Sequence, residues 1–347
     1  MKRNEYIIST LKTLVEIPSP SGFTRDVMAF VKKEASQMGY DCYYTNRGGL
    51  IIEVTGKSSK TTGLSAHVDT LGAMVRSINS DGTINFTEVG GYTLQSVEGC
   101  YVKLHTREGS TYTGTILCKS STVHVYDDAS TLERKEKNMM VRLDEEVSGK
   151  EDIEKLGIAS GDYISLDPQF EYTKSGFVKS RHLDDKASVA VLLGLLKEMK
   201  EETIIPENQL KILISNYEEV GFGASYLPED IEEMLTVDMG AVGDDLNGSE
   251  VKVSICAKDS SGPYDYEMTN RLISLAKENE IPYVVDVFPH YGSDVSSALR
   301  GGNNIRGALI GQGVSASHGM ERTHEKGLMA TLELIKAYIT SNSSNRI

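Results

Sequence analysis

Helix-like and strand-like segments alternate near both ends of this chain, and in between the alternation stops. Tyr6, Ile7, Leu11, Leu14 and Val15 predict a helix over 5–16. Val27, Phe30, Val31, Ala35 and Met38 predict a second over 23–38, stopped by Gly39. "GLIIEV" and "TGLSAHV" read as strands. From about residue 72 to Asp162 the chain becomes short alternating segments such as "YVKLHT" and "STYTGTILC", separated by Gly, Asp-Gly and Ser. That texture is all-β, with a solvated charged stretch at 133–137. After "GDYISLDP" the alternation resumes. A helix is expected over 185–200, a strand at 210–216, a helix near 228–234, then strands "LTVDMG" and "VKVSICA". A helix at 263–278, strand "YVVDVF", helix at 293–299, strand "IRGALIG" and helix at 326–340 complete the chain. Parallel strands need crossover connections, and the crossover helices cover the sheet. The expected fold is therefore α/β, a mostly parallel sheet with helices on both faces. Residues 1–70 and 166–347 would build it, and residues 71–165 would form a small inserted all-β domain.

Length and charge fit this division. At roughly 100–200 residues per domain, 347 residues predict two domains. Lys plus Arg number 36 against 50 Asp plus Glu, a net charge of −14. Such a chain is repelled by nucleic acid and by anionic membrane surfaces. No run approaches the ~18 apolar residues that span a bilayer, and Ser9, Thr10, Lys12 and Thr13 interrupt any signal-peptide core. Cys42, Cys100, Cys118 and Cys256 are scattered, which argues against a disulfide framework and for a reducing cytoplasm.

Ligands of open α/β sheets gather at the carboxyl ends of strands, and there the sequence concentrates His and carboxylates. "LSAHVDT" ends in His67 and Asp69. "RHLDDKASVAVLL" places Asp184 and Asp185 before a helix. "MLTVDMG" supplies Asp238, and "GALIGQGVSASHGMERTH" supplies His318, Glu321 and His324. Taken singly these have ordinary explanations: an aspartate caps a helix or starts a turn. The segment "QLKILISNYEEVGFGA" does not. Leu210, Ile212, Leu213 and Ile214 form a buried strand, and Glu218 and Glu219 follow it side by side. Two adjacent carboxylates there repel one another and resist desolvation unless a cation is present. A divalent metal resolves the conflict, with one glutamate binding it and the other free to move protons. Oxygen and imidazole donors without thiolate suit Zn²⁺, Co²⁺ or Mn²⁺. Two ions about 3.5–4 Å apart, bridged by one carboxylate, would use the whole set.

The series "AHVDTLGAMV", "LDDKASVAVL", "EEVGFGA" and "VDMG" resembles the motifs of the dinuclear metallo-aminopeptidases related to the tetrahedral, deblocking and glutamyl aminopeptidases. The order, the gross spacing and the position of the β insert all match, and the resemblance covers essentially the whole chain. It implies a phosphorylase/hydrolase-like aminopeptidase fold with an apical or dimerisation insert. It also implies two divalent metal ions per subunit, peptide substrates and a large closed homo-oligomer. By the same resemblance His67 and Asp238 bind the first metal, Asp184 bridges both, and Glu219 binds the second. Asp69 hydrogen-bonds His67 and fixes its tautomer. Glu218 is the general base that takes a proton from a water bridging the two metals. The family has Glu where this chain has Thr70, a position expected to lie outside the metal shell. The last ligand departs further, because the family's Arg-Tyr-x-His-Ser segment is replaced by "SASHGMERTHEKG". Spacing from "GALIG" and from the closing helix favours His318, whereas a preceding Arg favours His324.

Other readings use the same residues. A carboxypeptidase, or an amidohydrolase acting on N-acyl groups, would need a pocket for a carboxylate or acyl group, for which Arg181, Arg300, Arg306 and Arg322 are available. A non-catalytic metal-binding assembly protein would have no use for a spare base beside its ligands.

Overall fold

The computed structural model describes residues 3–341. Its central sheet runs in the order Asp41–Tyr44, Leu50–Val54, Gln209–Ser215, Thr61–His67, Ile231–Val237, Arg306–Val314 and Val253–Asp259. The four strands Gln209–Ser215, Thr61–His67, Ile231–Val237 and Arg306–Val314 are mutually parallel. Their carboxyl ends therefore lie along one edge. Thr61–His67 is buried at every position, as a central parallel strand covered on both faces must be.

One face of the sheet carries most of the helices. Leu183–Glu202 is apolar nearly all round and buried from Leu183 through Leu196, so it is a core helix rather than an amphipathic one. It packs against the sheet and against the helices Arg3–Glu16 and Glu325–Thr340. Each of its buried Leu and Val side chains contributes about 1.5–3 kcal/mol by leaving water. On the opposite face Val295 and Ala298 of the short helix Asp294–Arg300 join Leu213, Met234 and Leu309 in a smaller core.

The interrupting segment closes on itself. Gly72–Ile78, Ile84–Val89, Met139–Leu143, Thr111–Cys118, Tyr101–His105 and Tyr163–Leu166 form a barrel in that order. Phe86, Leu104, Ile116, Val141 and Ile164 are among the side chains that fill it. Closure leaves no unpaired sheet edge. A short helix, Lys150–Lys155, sits within this otherwise β segment.

One expected element is different. No helix forms near 228–234, because the strand Ile231–Val237 begins there. "IEEM" has the polarity of a surface helix, yet Glu233 points inward and is buried. Arg306, Arg271 and Tyr338 pair with it, and none of them is nearby in sequence.

Candidate metal centre

Four strand ends and one helix start converge. Thr61–His67 delivers His67, its last residue, into a fully enclosed position. Asp238 follows Ile231–Val237 and is fixed by its amide, which donates to the Ile310 carbonyl at 2.9 Å. Gly311 lets the neighbouring strand pass this close, since a Cβ there would collide with the Asp238 carbonyl. Asp184 and Asp185 stand at the head of the core helix in non-helical conformation. Glu218 and Glu219 lie in a single 3-10 turn just beyond Gln209–Ser215. His318 arrives on the turn after Arg306–Val314.

The imidazoles and carboxylates interlock. His67 Nδ1 lies 2.9 Å from the Asp69 backbone carbonyl, to which its N–H donates, and 3.5 Å from the Asp69 carboxylate. His67 Nε2 then faces Asp184 Oδ1 at 3.1 Å and Glu218 Oε2 at 3.8 Å. The other oxygen of Asp184 lies 3.3 Å from His318 Nε2, which is also 3.5 Å from Glu219 Oε2. Two sets of donor atoms fall within 4.8 Å of one another: His67 with Glu218 and Asp238, and His67 with Asp184 and Glu219. Ser317 adds a hydroxyl that donates to Asp184 at 3.2 Å.

Asp69 has a second task that sequence did not indicate. Its carboxylate accepts from the amides of Glu218 at 3.1 Å and Glu219 at 3.2 Å, and from the Ser21 hydroxyl at 2.5 Å. It meets His67 mainly through its backbone, while its side chain fixes the glutamate turn. Asp185 accepts from the His67 amide at 3.2 Å, so it supports that strand end from behind. Asp294 is a further unforeseen member. It accepts from Ser215 Oγ at 2.9 Å, and its other oxygen occupies the space a Cβ on Gly223 would need. In sequence it looks only like an acid in a helix's first turn, following the capping Ser293.

His324 lies elsewhere. Its Nδ1 accepts from the Lys326 amide at 3.0 Å, its Nε2–H donates to the Ser175 carbonyl at 2.9 Å, and it thereby caps the final helix. His318 is the histidine that joins the cluster. Its imidazole is oriented by the Gly91 carbonyl of the barrel segment, 2.5 Å from Nδ1. At 39% side-chain exposure it forms the open side of the site.

The electrostatics are one-sided. Among the described residues none of Asp184, Glu218, Glu219 and Asp238 has a lysine or arginine partner; their only cationic partners are the two imidazoles. Burial, helped by Asp184, raises Glu219 well above the usual carboxylate range. Burial also raises Glu218, which His67 partly offsets. Burial and Asp184 push Asp238 up to about 7. Burial acts to raise Asp184 too, but hydrogen bonds from His318 and His67 outweigh it and hold the group low. Burial alone would lower both histidines, and the carboxylates around them win. His67 is held well above its ordinary value, and His318 is raised to about 10. Glu219 Oε1, Asp185 Oδ1 and Asp294 Oδ1 are buried without a hydrogen-bond partner. Unpaired buried carboxylate oxygens beside neutral-capable imidazoles fit a divalent cation of the Zn²⁺, Co²⁺ or Mn²⁺ class.

The four arginines can now be placed. Arg300 donates to Ser261 at 3.1 Å, Arg306 pairs with Glu233 and Glu267, and Arg322 lies over the Phe177 ring. Only Arg181 reaches the cluster's surroundings, and its terminal nitrogens donate to the Ser96 and Gly319 carbonyls. No helix among the described residues is long and apolar enough to cross a membrane.

Sheet, barrel and cluster together describe an α/β domain with an inserted β module and a histidine–carboxylate cluster at the carboxyl edge of the sheet. The M42 glutamyl aminopeptidase family matches residues 48–334, and the chain belongs to that family. A Bacillus subtilis relative named "Putative aminopeptidase YhfE" is 46% identical over 333 residues, 95% of this chain and 96% of its own. Two solved archaeal structures share the fold. One is aminopeptidase APDkam598 from Desulfurococcus kamchatkensis, with a TM-score of 0.87 at 22% identity, covering 98% of this chain and 96% of its own. The other is the Pyrococcus horikoshii TET1 peptidase, with a TM-score of 0.85 at 22% identity, covering 97% of this chain and 100% of its own. By family the protein is an aminopeptidase, a hydrolase of peptide bonds.

Proposed function

We propose that this aminopeptidase depends on two divalent metal ions, Zn²⁺ or Co²⁺/Mn²⁺, and releases N-terminal residues from peptides with Glu218 as general base. The observation that carries this reading is the placement of Asp184, whose two oxygens each face a different imidazole, His67 and His318. A carboxylate so placed is disposed to bridge two ions. His67, Asp184 and Asp238 would hold one ion, and Asp184, Glu219 and His318 the other.

Glu218 also lies among the atoms that could hold metal. We assign it the proton because Asp184 already completes the first position. Burial also raises the Glu218 carboxyl above its usual range, the direction that makes a carboxylate a stronger base. When bound, the ions would polarise the scissile carbonyl and acidify water. Glu218 would take the proton of the attacking water and deliver it to the leaving amine. Asp69 holds the amides of Glu218 and Glu219, so base and ligand keep a fixed separation. A peptide's free amino terminus would find negative charge beside His318, the exposed side of the cluster. The arginines do not favour a carboxypeptidase, since Arg300, Arg306 and Arg322 are engaged elsewhere.

Residues 71–165 are read as an apical or dimerisation domain inserted between residues 1–70 and 166–347. Val123, Val125 and Tyr126 on this insert are exposed, which suits burial between subunits. The TET1 peptidase forms a tetrahedron or a large octahedral shell, and a large homo-oligomer is proposed here. Cys42, Cys100, Cys118 and Cys256 are all free thiols, in keeping with a reducing cytoplasm.

The test is a panel of aminoacyl amides, assayed after chelation and after refilling with Zn²⁺, Co²⁺ or Mn²⁺. Activity should vanish on chelation and return with metal. Full activity in the chelated protein would overturn the metal-dependent reading.

A further inference from the structure

Glu321 is 2% exposed and begins the short strand that follows the His318 turn. One of its oxygens accepts from the Asp184 amide at 3.0 Å, and the other accepts from the His318 amide at 3.1 Å. Both oxygens therefore face backbone, and the side chain is directed at the frame of the site. The two amides it joins need a partner. Asp184 lies at the head of the core helix, where backbone donors have no intrahelical acceptor. His318 sits on a turn with φ of 61°, and Ala316 two residues earlier has φ of 55°. Left-handed conformation costs a side-chain-bearing residue about 1–2 kcal/mol, and it persists only where neighbours hold it.

We propose that Glu321 is a positioning residue that clamps the backbones of Asp184 and His318 together and so sets the affinity of the metal position they share. The inference rests on the two-metal reading. Geometry makes it selective. The clamp touches the His318 side of the cluster and leaves His67 and Asp238 alone: the His67 amide is held by Asp185, and the Asp238 amide by Ile310. A carboxylate suits the task because it presents two acceptors to two donors. Glutamine has nearly the same shape but turns an NH₂ group toward one of the amides, so one hydrogen bond becomes a donor–donor clash.

Two measurements on Glu321→Gln test this. In the metal-free protein, hydrogen exchange of the amides in residues 315–320 should quicken by about 2–10-fold, the loss of one net hydrogen bond. Calorimetric titration with Co²⁺ should show the ion at the His318 position weakened by about 10–100-fold, as for loss of a ligand-orienting partner, and the ion at the His67 position, which shares only Asp184 with the clamp, weakened clearly less. Should the variant not fold, Glu321→Asp is used instead. It keeps the charge but is one methylene too short to span both amides, and it carries the same expectation. Wild-type exchange with two wild-type binding constants would overturn the proposal, and so would equal weakening of both ions. If the wild type itself takes fewer than two ions, the two-metal reading fails. The exchange measurement, made without metal, still decides whether the clamp exists.

Discussion

The strand Ile231–Val237 has a buried carboxylate near each end, and the two are stabilised in opposite ways. At its start Glu233 meets Arg306 at 2.7 Å, Arg271 at 3.5 Å and the Tyr338 hydroxyl at 2.8 Å. Just past its other end Asp238 faces acids instead. Burial and Asp184 push it up to about 7, and its carboxylate accepts from the Met239 amide at 2.7 Å. Glu198, a buried residue of the core helix itself, repeats the first solution with Arg3 and Lys336. Desolvating an ion costs several kcal/mol even after relaxation. This chain places guanidinium or ammonium groups against Glu233 and Glu198. Among the described residues no such group stands against Asp184, Glu218, Glu219 and Asp238, which gather at the carboxyl edge of the sheet. The same fold thus contains self-neutralised carboxylates, which hold structure, and a group that calls for a cation from outside.

The contrast breaks most visibly at Glu218. Glu218→Gln keeps the shape and removes the basicity, so kcat should fall by at least ~10²-fold, the lower range of a general base's contribution. Bound metal should stay at the wild-type level. Steady-state kinetics with elemental analysis of the same sample checks both. Near-normal turnover would place Glu218 among the merely structural acids, like Glu233.

The sequence carried the site better than it carried the frame around it. His67, Asp184, Glu218, Glu219, Asp238 and His318 could be singled out because each stands at a strand end or a helix start, and the structure brings all six together. Spacing leaned toward His318 while a preceding Arg leaned toward His324, whose imidazole caps a helix in the structure. What escaped depends on partners remote in sequence. Glu233 looked like the exposed face of a helix because Arg271 and Arg306, which permit its burial in a strand, come much later in the chain. Asp294 was not singled out at all, since nothing local shows Ser215 and Gly223 packed on it. The Asp69 side chain holds two amides of a turn far along the chain, a contact that periodicity cannot express. Barrel closure was likewise invisible, for alternation marks strands but not which first and last strands meet.

A smaller effect should appear in the pH dependence of metal stabilisation. A histidine whose folded pKa is raised contributes stability that is complete below about 6.5. That stability is lost as pH climbs through the folded value, which for His318 is about 10. A carboxylate whose folded pKa is raised also loses stability with rising pH, for Asp238 between about 3.9 and about 7, because the folded state binds the extra proton. Asp184 is held low and acts in the opposite sense, but only below the ordinary carboxylate range. Across neutrality His318 and Asp238 therefore make the metal-free protein less stable as pH rises, and Asp184 adds nothing there. Metal binding strengthens over the same range, because its ligands must be deprotonated. The gain in Tm on adding metal should therefore be larger near pH 8 than near pH 6. Calorimetry with and without chelator at both values checks this, and an equal gain would contradict the charge balance drawn here.

The smallest effect on function is expected at the other end of the strand. Glu233→Gln leaves the Tyr338 hydroxyl an acceptor but removes the charge facing Arg271 and Arg306. Arg306 is 40% exposed in its side chain and can turn to water, so the loss is limited to that of imperfectly paired polar groups, about 1–3 kcal/mol of folding stability. Metal stoichiometry and kcat should not change, because Glu233 lies at the amino edge of the sheet with its own cations, a full strand's length from Asp238. Denaturant unfolding would read the first quantity, and elemental analysis with kinetics the second. A Glu233→Gln protein that unfolds normally but binds less metal would show that the two ends of the strand are coupled. Neutralisation by arginine at one end would then be part of how the other end holds its ions.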